Sequence, residues 1–560
     1  MKSLASTITV FMVIATLVLS GCGTQPAAPT AAPATQPPQP VAPTAAPATQ
    51  PPQPVAPTAA PAQTKQLVVA NDFENVTLDP AHAYEDVYMW VGKAMYDQLT
   101  QLDATQPGKI LPLLADKWDI SPDGLVYTFY LHKGVKFQTG REMTSADVKF
   151  SLERLQNVKG NPSFFMDGVK TVEAVDPYTV KFTLAAPDAS FLTRTSVTYM
   201  HVLDSETAKA QGCTNALDAD KTDKCQAYLD DHSLGTGPFI LDKWVRNQEI
   251  RLVANQNYWR GKPAIDAVDV KKISDPTTQS QMLQRGDIDL AMNIDPDTAK
   301  QLKSVPNMTL VQGQGPSLIY IGLTTVVTQS QAISNKKVRQ AIEYAIDYDG
   351  LDNEVLSGYA VTPPSVIPIG YLAADAVPPI KRDLAKAKSL LTDAGYPNGV
   401  DVDLTYPNHN MFGVGWSIIA QKVQADLAEA GIRVKLVPQE LSIFLQGYRG
   451  KQDSFVFGWQ TPDFPDPYNN AQAFGATDGV FAKRMSYVNP DNDKLLAQSI
   501  ATTDPDQRKA IYAKLMTNMQ DDAVFLPLVQ PKESLAYRNV VQGFVYDPVV
   551  KVVLYQISKP

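Results

Sequence analysis

The segment DLAKAKSLLTDAGYPNGVDVDL, residues 383–404, is the most informative part of this chain for its fold class. Its first half carries apolar side chains at helical spacing, at Leu384, Ala387, Leu391 and Ala394. Gly395 follows, and glycine commonly stands just after the last residue of a helix. Apolar and polar residues then alternate over 400–404, which predicts a strand. The segment therefore predicts a helix, a glycine stop and a strand in immediate succession.

The same order recurs directly afterwards. A second helical stripe, formed by Ile419, Val423, Leu427 and Ala430, ends at Gly431 and is followed by a strand-like run over 432–437. Alternating apolarity also predicts strands over 126–131 and 179–184, the second entered through an Asp-Pro turn as part of a hairpin. The sequence TSAD at 144–147 has the form of a capping box and predicts the start of another helix. Helices and strands in alternation predict an α/β protein.

Size and charge restrict the classes of partner. Residues 65–560 have the composition of an ordinary globular protein and are numerous enough for two or more lobes with real cores. This part of the chain contains no apolar stretch near the roughly 20 residues that a membrane helix requires. The net charge of the whole chain is −9, which disfavours nucleic acid and anionic membrane surfaces as partners.

The N-terminus has the form of an export signal. Lys2 precedes an apolar run over 8–19, and small residues lead into Cys22, with no further charged residue before Lys65. The sequence LSGC at 19–22 resembles the lipobox of bacterial lipoproteins. That resemblance implies a signal peptide over 1–21, cleavage before Cys22, and lipid carried by this residue. The alternative is a signal anchor with an incidental cysteine.

Residues 22–64 predict a tether. The sequence APTAAPATQPPQPV at 28–41 is repeated letter for letter at 42–55, without any charge. Such a proline-rich segment has little apolar surface to bury, so it cannot build a core. It is expected to extend on the order of 100 Å, at about 3 Å per residue. The lipid and the tether together predict an extracytoplasmic protein that is lipid-anchored to the cell membrane and faces either a periplasm or the open medium.

Two cysteines remain in the globular part, Cys213 and Cys225, within a polar stretch rich in aspartate. Outside the cytoplasm they are expected to pair and to close a short surface loop. The neighbouring residues 218–223 faintly suggest a calcium loop. However, they lack the glycine that such loops have at the sixth position, and Leu229 stands where a bidentate glutamate belongs. The disulfide is the preferred interpretation.

The search for catalytic chemistry gives no candidate. The chain contains no phosphate-binding P-loop, no H-E-x-x-H and no G-x-S-x-G. Its five histidines are scattered, and His409 is the one that stands in a plausible ligand loop. The sequence therefore predicts a protein that is not an enzyme and that holds no metal and no cofactor.

A series of short motifs, in order along residues 65–560, resembles one family. The motifs are TLDP at 77–80, MYDQL at 95–99, LPLLADKW at 111–118, LHKGVKF at 131–137, TSADV at 144–148, GTGPF at 235–239, NYW at 257–259, GDID at 286–289, VRQAI at 338–342, and the segments 387–397 and 459–467. Together they resemble the extracytoplasmic solute-binding proteins of ABC importers, in the family that handles dipeptides, oligopeptides and nickel. Several of these motifs, GTGPF among them, are interpreted as structural turns because glycine and proline set backbone angles.

The resemblance implies a two-lobed periplasmic-binding-protein-like fold of the large class, with an extra subdomain. Lobe I would comprise 65–315 and 528–560, lobe II would comprise 316–527, and two crossings would join them. The ligand would lie in the cleft between the lobes and be enclosed when they close. ABC permease subunits would be the partners, and one ligand per monomer is the simplest expectation.

Peptide is the first ligand that the resemblance suggests. In peptide-binding relatives a carboxylate pairs with the α-ammonium of the peptide, and the match assigns that role to Asp463. Three residues separate Asp463 from Trp459, where the peptide-binding pattern has two. Tyr84 and Gly458 are further predicted ligand contacts. The alternative is that Asp463 and Asp466 only shape a proline-rich turn.

Other ligands and other classes remain open at this point. Some relatives carry oligosaccharides, and Trp459, Trp416, Trp90 and Tyr84 are predicted to line such a cleft, although a core position is the commoner place for a tryptophan. Nickel would need a chelator or converging histidines. A secreted hydrolase and an adhesion or scaffold protein are the alternatives from other classes.

Overall fold

The computed structural model describes residues 65–560 except 75–76, 105, 107, 409 and 412–413. The predicted signal peptide, Cys22, the tether and His409 therefore lie outside the described residues. No helix in the part described is long and apolar enough to cross a membrane.

The strands are numbered in chain order. They are β1 Gln66–Asn71, β2 Thr100–Leu102, β3 Ile110–Pro112, β4 Ala115–Ile120, β5 Val126–Leu131, β6 Val169–Asp176, β7 Thr179–Leu184, β8 Phe239–Val245, β9 Glu249–Ala254, β10 Ala267–Lys272, β11 Leu290–Ala291, β12 Met308–Gln314, β13 Leu318–Leu323, β14 Ala360–Val361, β15 Val400–Pro407, β16 Asn410–Met411, β17 Val414–Gly415, β18 Ile432–Gln439, β19 Phe455–Gln460, β20 Phe525–Arg538, β21 Tyr546–Asp547 and β22 Lys551–Val552.

The α-helices are numbered in the same way. They are α1 Asp86–Met95, α2 Ser145–Val158, α3 Phe191–Arg194, α4 Ser205–Ala210, α5 Ala219–Thr222, α6 Gln226–Asp231, α7 Pro276–Arg285, α8 Pro296–Leu302, α9 Lys336–Ala345, α10 Tyr348–Gly350, α11 Leu384–Asp393, α12 Trp416–Glu429, α13 Leu441–Arg449, α14 Pro467–Gly475, α15 Val480–Met485, α16 Pro490–Ala501 and α17 Pro505–Asp522. Short 3-10 helices occupy Asn161–Met166 and Leu554–Gln556, and a π-helical turn occupies Leu351–Val355.

The repeated helix, glycine and strand pattern is confirmed. Helix α11 is capped by the Asp383 carboxylate, which accepts from the Lys386 N–H, and strand β15 follows it. Helix α12 and strand β18 repeat the arrangement, and β15 and β18 pair in parallel. Gly395 and Gly431 have φ of +89° and +92°, a left-handed conformation that glycine adopts without steric cost. Local sequence patterns therefore predict the units α11–β15 and α12–β18 correctly.

A separate four-stranded antiparallel sheet, in the order β4-β5-β7-β6, forms a subdomain with helix α2 packed against β6. The predicted strands over 126–131 and 179–184 are β5 and β7, and β7 forms its hairpin with β6. The capping box that begins α2 is also confirmed, since Thr144 and Asp147 bond reciprocally. The predicted extra subdomain is this sheet with its helix.

The large sheet has twelve strands, which come from both ends and from the middle of the described chain. Its order is β18-β15-β19-β13-β20-β11-β1-β10-β9-β8, with β12 and β14 also paired to β20. The first half of β20 pairs with β13, from Phe525 to Val529, and its second half pairs with β12, from Lys532 to Arg538. The chain therefore passes from one half of the sheet to the other after β12 and returns within β20.

The hydrophobic cores fall on both sides of these two crossings. One core combines residues before the first crossing with residues after the second, such as Val69, Phe129 and Leu535. Two further cores lie between the crossings, around Leu404 and Tyr320. We call the corresponding parts of the molecule lobe I and lobe II. The lobe boundaries predicted from the resemblance stay a prediction.

The GTGPF motif is structural, but for a reason other than backbone angle. A Cβ on Gly235 would lie 2.2 Å from the carbonyl oxygen of Met95, and one on Gly237 would lie 2.4 Å from the Met95 carbonyl carbon. Neither glycine has a positive φ. Close approach of the backbone to the end of α1 therefore requires these glycines.

Candidate functional site

The loop between β19 and α14 carries two aspartates with different surroundings. Asp466 caps α14 by accepting from the Tyr468 N–H, and it forms a bidentate pair with Arg508 at 2.9 and 2.7 Å. Both side chains of this pair are buried. Asp466 is therefore a structural residue with a full set of partners.

Asp463 is half-buried and has no cationic partner among the residues that the structure describes. Its carboxylate accepts hydrogen bonds from the Tyr84 hydroxyl and from Asn469 Nδ2, the latter at 3.2 Å. None of the ion pairs among the described residues includes Asp463. Burial raises the pKa of Asp463, and the hydrogen bonds from Tyr84 and Asn469 offset this only in part. The site thus presents a partly desolvated carboxylate that a ligand cation would stabilise.

Tyr84 joins the two lobes at this point. It stands just before α1 in lobe I and donates to Asp463 of lobe II. Its ring centroid lies 5.1 Å from that of Tyr199 and 5.8 Å from that of Phe164. Burial and the charge of Asp463 raise the pKa of the Tyr84 hydroxyl, so it remains a donor. The structure therefore brings together two of the predicted ligand contacts, Tyr84 and Asp463.

Two cavities border the loop that carries Asp463, and each is lined by residues of both lobes. The larger one has a volume of about 610 Å³ and is lined by Phe164, Asp188 and Arg194 of lobe I and by Gln460, Asp463 and Tyr468 of lobe II. The smaller one, of about 30 Å³, is lined by Asp86, Glu533 and Lys551 of lobe I and by Ser317, Tyr371 and Thr461 of lobe II. We call these two cavities together the interlobe cleft.

Sequence reasoning missed Tyr371. This tyrosine lines the smaller cavity, and burial together with the charges of Asp463 and Asp466 raises the pKa of its hydroxyl. It stands in an irregular segment between β14 and α11, where no local pattern distinguishes it. Asn469 was missed as well, although it belongs to the first turn of α14 and bonds Asp463 directly.

The tryptophans correct one expectation. Trp416 is fully buried in a core of lobe II, and Trp90 is fully buried in the core of lobe I. Contrary to the prediction, neither ring lines the cleft. Trp459 is half-buried, with its ring 5.5 Å from Trp416 and 6.5 Å from Phe444. A helical apolar stripe favours the core, and that is where Trp416 and Trp90 lie.

Gly458, which was predicted as a ligand contact, also has a structural role. It pairs with Tyr320 across β13 and β19, and a Cβ on Gly458 would lie 2.4 Å from the Tyr320 ring. Only glycine leaves this space for the ring. Contact of Gly458 or Trp459 with a ligand stays a prediction.

The aspartate-rich stretch that contains Cys213 and Cys225 does not line the cleft. Cys213 and Cys225 form a disulfide, and both are buried. The neighbouring Asp223 accepts from Arg154 at 2.8 and 3.0 Å, and the same guanidinium holds Asp79 with two bonds of 2.7 Å. Sulfur atoms bonded to each other and a carboxylate held by arginine do not offer ligands to a metal ion.

Comparisons with known proteins agree with this architecture. The model of the family "Bacterial extracellular solute-binding proteins, family 5 Middle" matches residues 109–481, which is more than half of the chain. Heme-binding protein A of Haemophilus influenzae is 29% identical over 472 residues, 80% of this chain and 84% of that protein. The glutathione-binding protein GsiB of Escherichia coli is 29% identical over 503 residues, 86% of this chain and 92% of that protein.

Solved structures give the same result. The periplasmic binding protein DppA of Helicobacter pylori, in complex with the peptide STSA, superposes with a TM-score of 0.70 at 28% identity, covering 88% of this chain and 98% of that one. HbpA2 of Haemophilus parasuis superposes with a TM-score of 0.77 at 28% identity, covering 88% and 100%. These relatives are transport proteins that bind substrates and are not enzymes. The predicted family and two-lobed fold class are confirmed: this chain belongs to the family 5 extracytoplasmic solute-binding proteins of ABC transporters.

Proposed function

We propose that this protein captures peptides in the interlobe cleft, with their α-ammonium group on Asp463, and delivers them to an ABC permease. The observation that carries this proposal is the half-buried carboxylate of Asp463, which has hydrogen-bond donors but no cationic partner among the described residues.

The energetics favour an ammonium ligand at this position. A buried charge without a counter-charge is costly, and a hydrogen-bonded ion pair offsets that cost. Tyr84 and Asn469 occupy one site on each carboxylate oxygen, and an ionised carboxylate has about four acceptor sites. An α-ammonium can therefore bind Asp463 without displacing either neighbour.

The edge of β19 supports an extended ligand. Strand β15 pairs with β19 only at Thr405 and Val456. Past Val456 no described strand covers that edge of β19, while β13 occupies its other side. An extended peptide can add its main-chain hydrogen bonds to such an edge.

The relatives bind different solutes, so the ligand must be argued from the site. Among the solutes named for them, peptides and glutathione carry a free ammonium group, whereas heme does not. The sugar alternative loses support because Trp416 and Trp90 belong to the cores. The described residues contain no histidine cluster that would favour a nickel chelate.

The remaining parts of the proposal rest on the resemblances to the family and to bacterial lipoproteins. Lobe I would comprise 65–315 and 528–560, and lobe II would comprise 316–527, with closure about the two crossings. Lipid on Cys22 and the tether over 22–64 would keep the monomer near its permease, which raises its local concentration without a new contact.

Native mass spectrometry of the full chain, followed by identification of the solute released on denaturation, tests this proposal. We expect peptide masses, and added tripeptides should bind a preparation freed of solute. Release of heme or of hexose-spaced masses, together with no binding of tripeptides, would contradict the proposal.

A further inference from the structure

The walls of the interlobe cleft carry an excess of acidic groups. The charged residues that line its two cavities are Asp86, Asp167, Asp188, Asp463, Glu533, Arg194 and Lys551. Five of these are carboxylates and two are cations, which gives a net charge of −3. A ligand enclosed between these walls therefore experiences a negative potential.

Both cations already have carboxylate partners within lobe I. Arg194 is paired with Asp188, and its Nη1 also donates to the backbone oxygens of Phe165 and Asp167 at 2.9 Å each. Lys551 lies 3.3 Å from both Asp86 and Glu533. Among the described residues that line the two cavities of the cleft, no unpaired cation is left for a carboxylate of the ligand.

Aromatic rings stand among these carboxylates. Phe164 and Tyr468 line the larger cavity, and Tyr371 and Phe464 line the smaller one. Burial and the nearby charges of Asp86, Asp463 and Glu85 raise the pKa of Tyr199, which packs against Tyr84. Aromatic faces beside carboxylates bind ammonium and guanidinium groups through cation–π contacts and ion pairs.

From this arrangement we infer that the cleft selects basic peptides, with a lysine or arginine side chain in addition to the α-ammonium, and rejects acidic ones. The inference rests on the proposed function and names the class of peptide. Asp463 takes the α-ammonium, and the net negative charge of the cleft walls, to which Asp86 and Glu533 contribute, favours the basic side chain. The C-terminal carboxylate of the ligand finds no partner of its own.

A panel of three tripeptides tests the inference on the full chain: Ala-Ala-Ala, Ala-Lys-Ala and Ala-Glu-Ala, each as free acid and as amide, by isothermal titration calorimetry. We expect the lysine peptide to bind at least about tenfold more tightly than the glutamate peptide, with alanine between them. Amidation of the C-terminus is expected to leave the affinity unchanged or to raise it.

Three outcomes would overturn the inference. Equal affinity for the lysine and glutamate peptides would refute the selection while leaving peptide capture intact. A loss of more than about tenfold on amidation would show that a cation holds the carboxylate. Failure of all six peptides to bind would remove the proposed function together with the inference.

Two variants locate the effect in the cleft. Glu533→Gln removes the less exposed acidic wall group and should reduce the ratio of lysine to glutamate affinity at least threefold. Asp86→Asn removes a second carboxylate, at an exposed position, and should also reduce the ratio of lysine to glutamate affinity. An unchanged ratio in both variants would contradict the inference.

Asp491→Asn is the matched control. Asp491 and Asp86 both stand in the first turn of a helix, have side chains 76% and 75% exposed, and contact a lysine. Asp491 does not line either cavity of the cleft. Asp491→Asn changes the net charge by the same amount and should leave the ratio unchanged.

Discussion

Two aspartates three positions apart show how neighbours determine the role of a residue. Asp466 has the guanidinium of Arg508, and this pair ties the start of α14 to α17. Within the described part of the chain Asp463 has only neutral donors, Tyr84 and Asn469, and burial raises its pKa. The first aspartate stabilises the fold, whereas the second retains a free capacity for a cation.

The two aspartates should respond in opposite ways to loss of charge. Asp466→Asn leaves Arg508 buried without its partner and should lower the free energy of unfolding by about 3–5 kcal/mol. In Asp463 the folded state holds a proton more tightly than the unfolded chain does, so the ionised carboxylate reduces stability at neutral pH. Asp463→Asn should therefore leave the stability unchanged or raise it. Urea unfolding of both variants without ligand measures this, and an equal loss in both would make Asp463 structural.

Peptide affinity should depend on pH through Asp463. In the free protein the pKa of Asp463 lies above its usual range, and an ammonium on the carboxylate would lower it. Affinity is therefore expected to fall as the pH is lowered through the free-protein pKa, because the protonated carboxyl cannot form the ion pair. Titration calorimetry from pH 7 downward should show this fall in the natural protein and a flat profile in Asp463→Asn. A fall of the same size in both would assign the dependence to another group.

At the scale of elements, the sequence pattern predicted those helices and strands whose positions depend on residues close together in the chain. The units α11–β15 and α12–β18 were correct because apolar spacing, an N-cap and a glycine stop all act within a few residues. Partners distant in sequence could not be predicted in the same way. Tyr84 and Asp463 are 379 positions apart, and their contact depends on how the lobes pack.

The missed Tyr371 and the misplaced Trp416 have the same cause, because both depend on packing between residues that are distant in sequence. Tyr371 stands in an irregular segment and becomes part of the cleft only through tertiary packing. An aromatic residue on a helix, such as Trp416, has the same pattern whether it meets a ligand or a core. The resemblance supplied Asp463 as a candidate, and only the structure shows that it lacks a counter-charge while Asp466 has one.

The side chain of Gln530 connects the two crossings between the lobes. Gln530 is fully buried in β20, donates to the backbone oxygens of Gly315 and Ile369 at 2.8 and 3.1 Å, and accepts from the Ile369 N–H at 2.8 Å. Gln314 Nε2 also donates to the Gln530 backbone oxygen, at 3.1 Å. These bonds connect Gly315, at the first crossing, with β20, at the second, in addition to the backbone pairing of β12 with β20.

Gln530→Leu should destabilise the protein while keeping the volume of the side chain similar. The buried carbonyl of Gly315 would lose its partner, which costs about 1–3 kcal/mol before relaxation. The two backbone groups of Ile369, an exposed residue, would lose theirs at a smaller cost. We expect a loss of about 2–4 kcal/mol in the free energy of unfolding, measured by urea unfolding. Gln248→Leu, at an exposed turn between β8 and β9, is the control and should change little. Equal stability of both variants would show that Gln530 does not hold the crossings.

At the scale of the whole molecule, the lobes meet at the site where the ligand is expected. The Tyr84–Asp463 bond and the contact between the Ala189 N–H and the Ile500 oxygen, at 2.7 Å, both connect lobe I with lobe II. A ligand on Asp463 would therefore touch both lobes at once. Binding and closure are coupled in such an arrangement, because the ligand gains its full contacts only in the closed state.

The most direct test of this account is a cycle of four dissociation constants. Ala-Ala-Ala and its N-acetyl form are titrated into the natural protein and into Asp463→Asn. We predict that acetylation weakens binding to the natural protein by about 2 kcal/mol or more, roughly 30-fold, and weakens binding to Asp463→Asn far less. An equal loss in both proteins, or none in the natural one, would contradict the account, because Asp463 would then not bind the peptide ammonium.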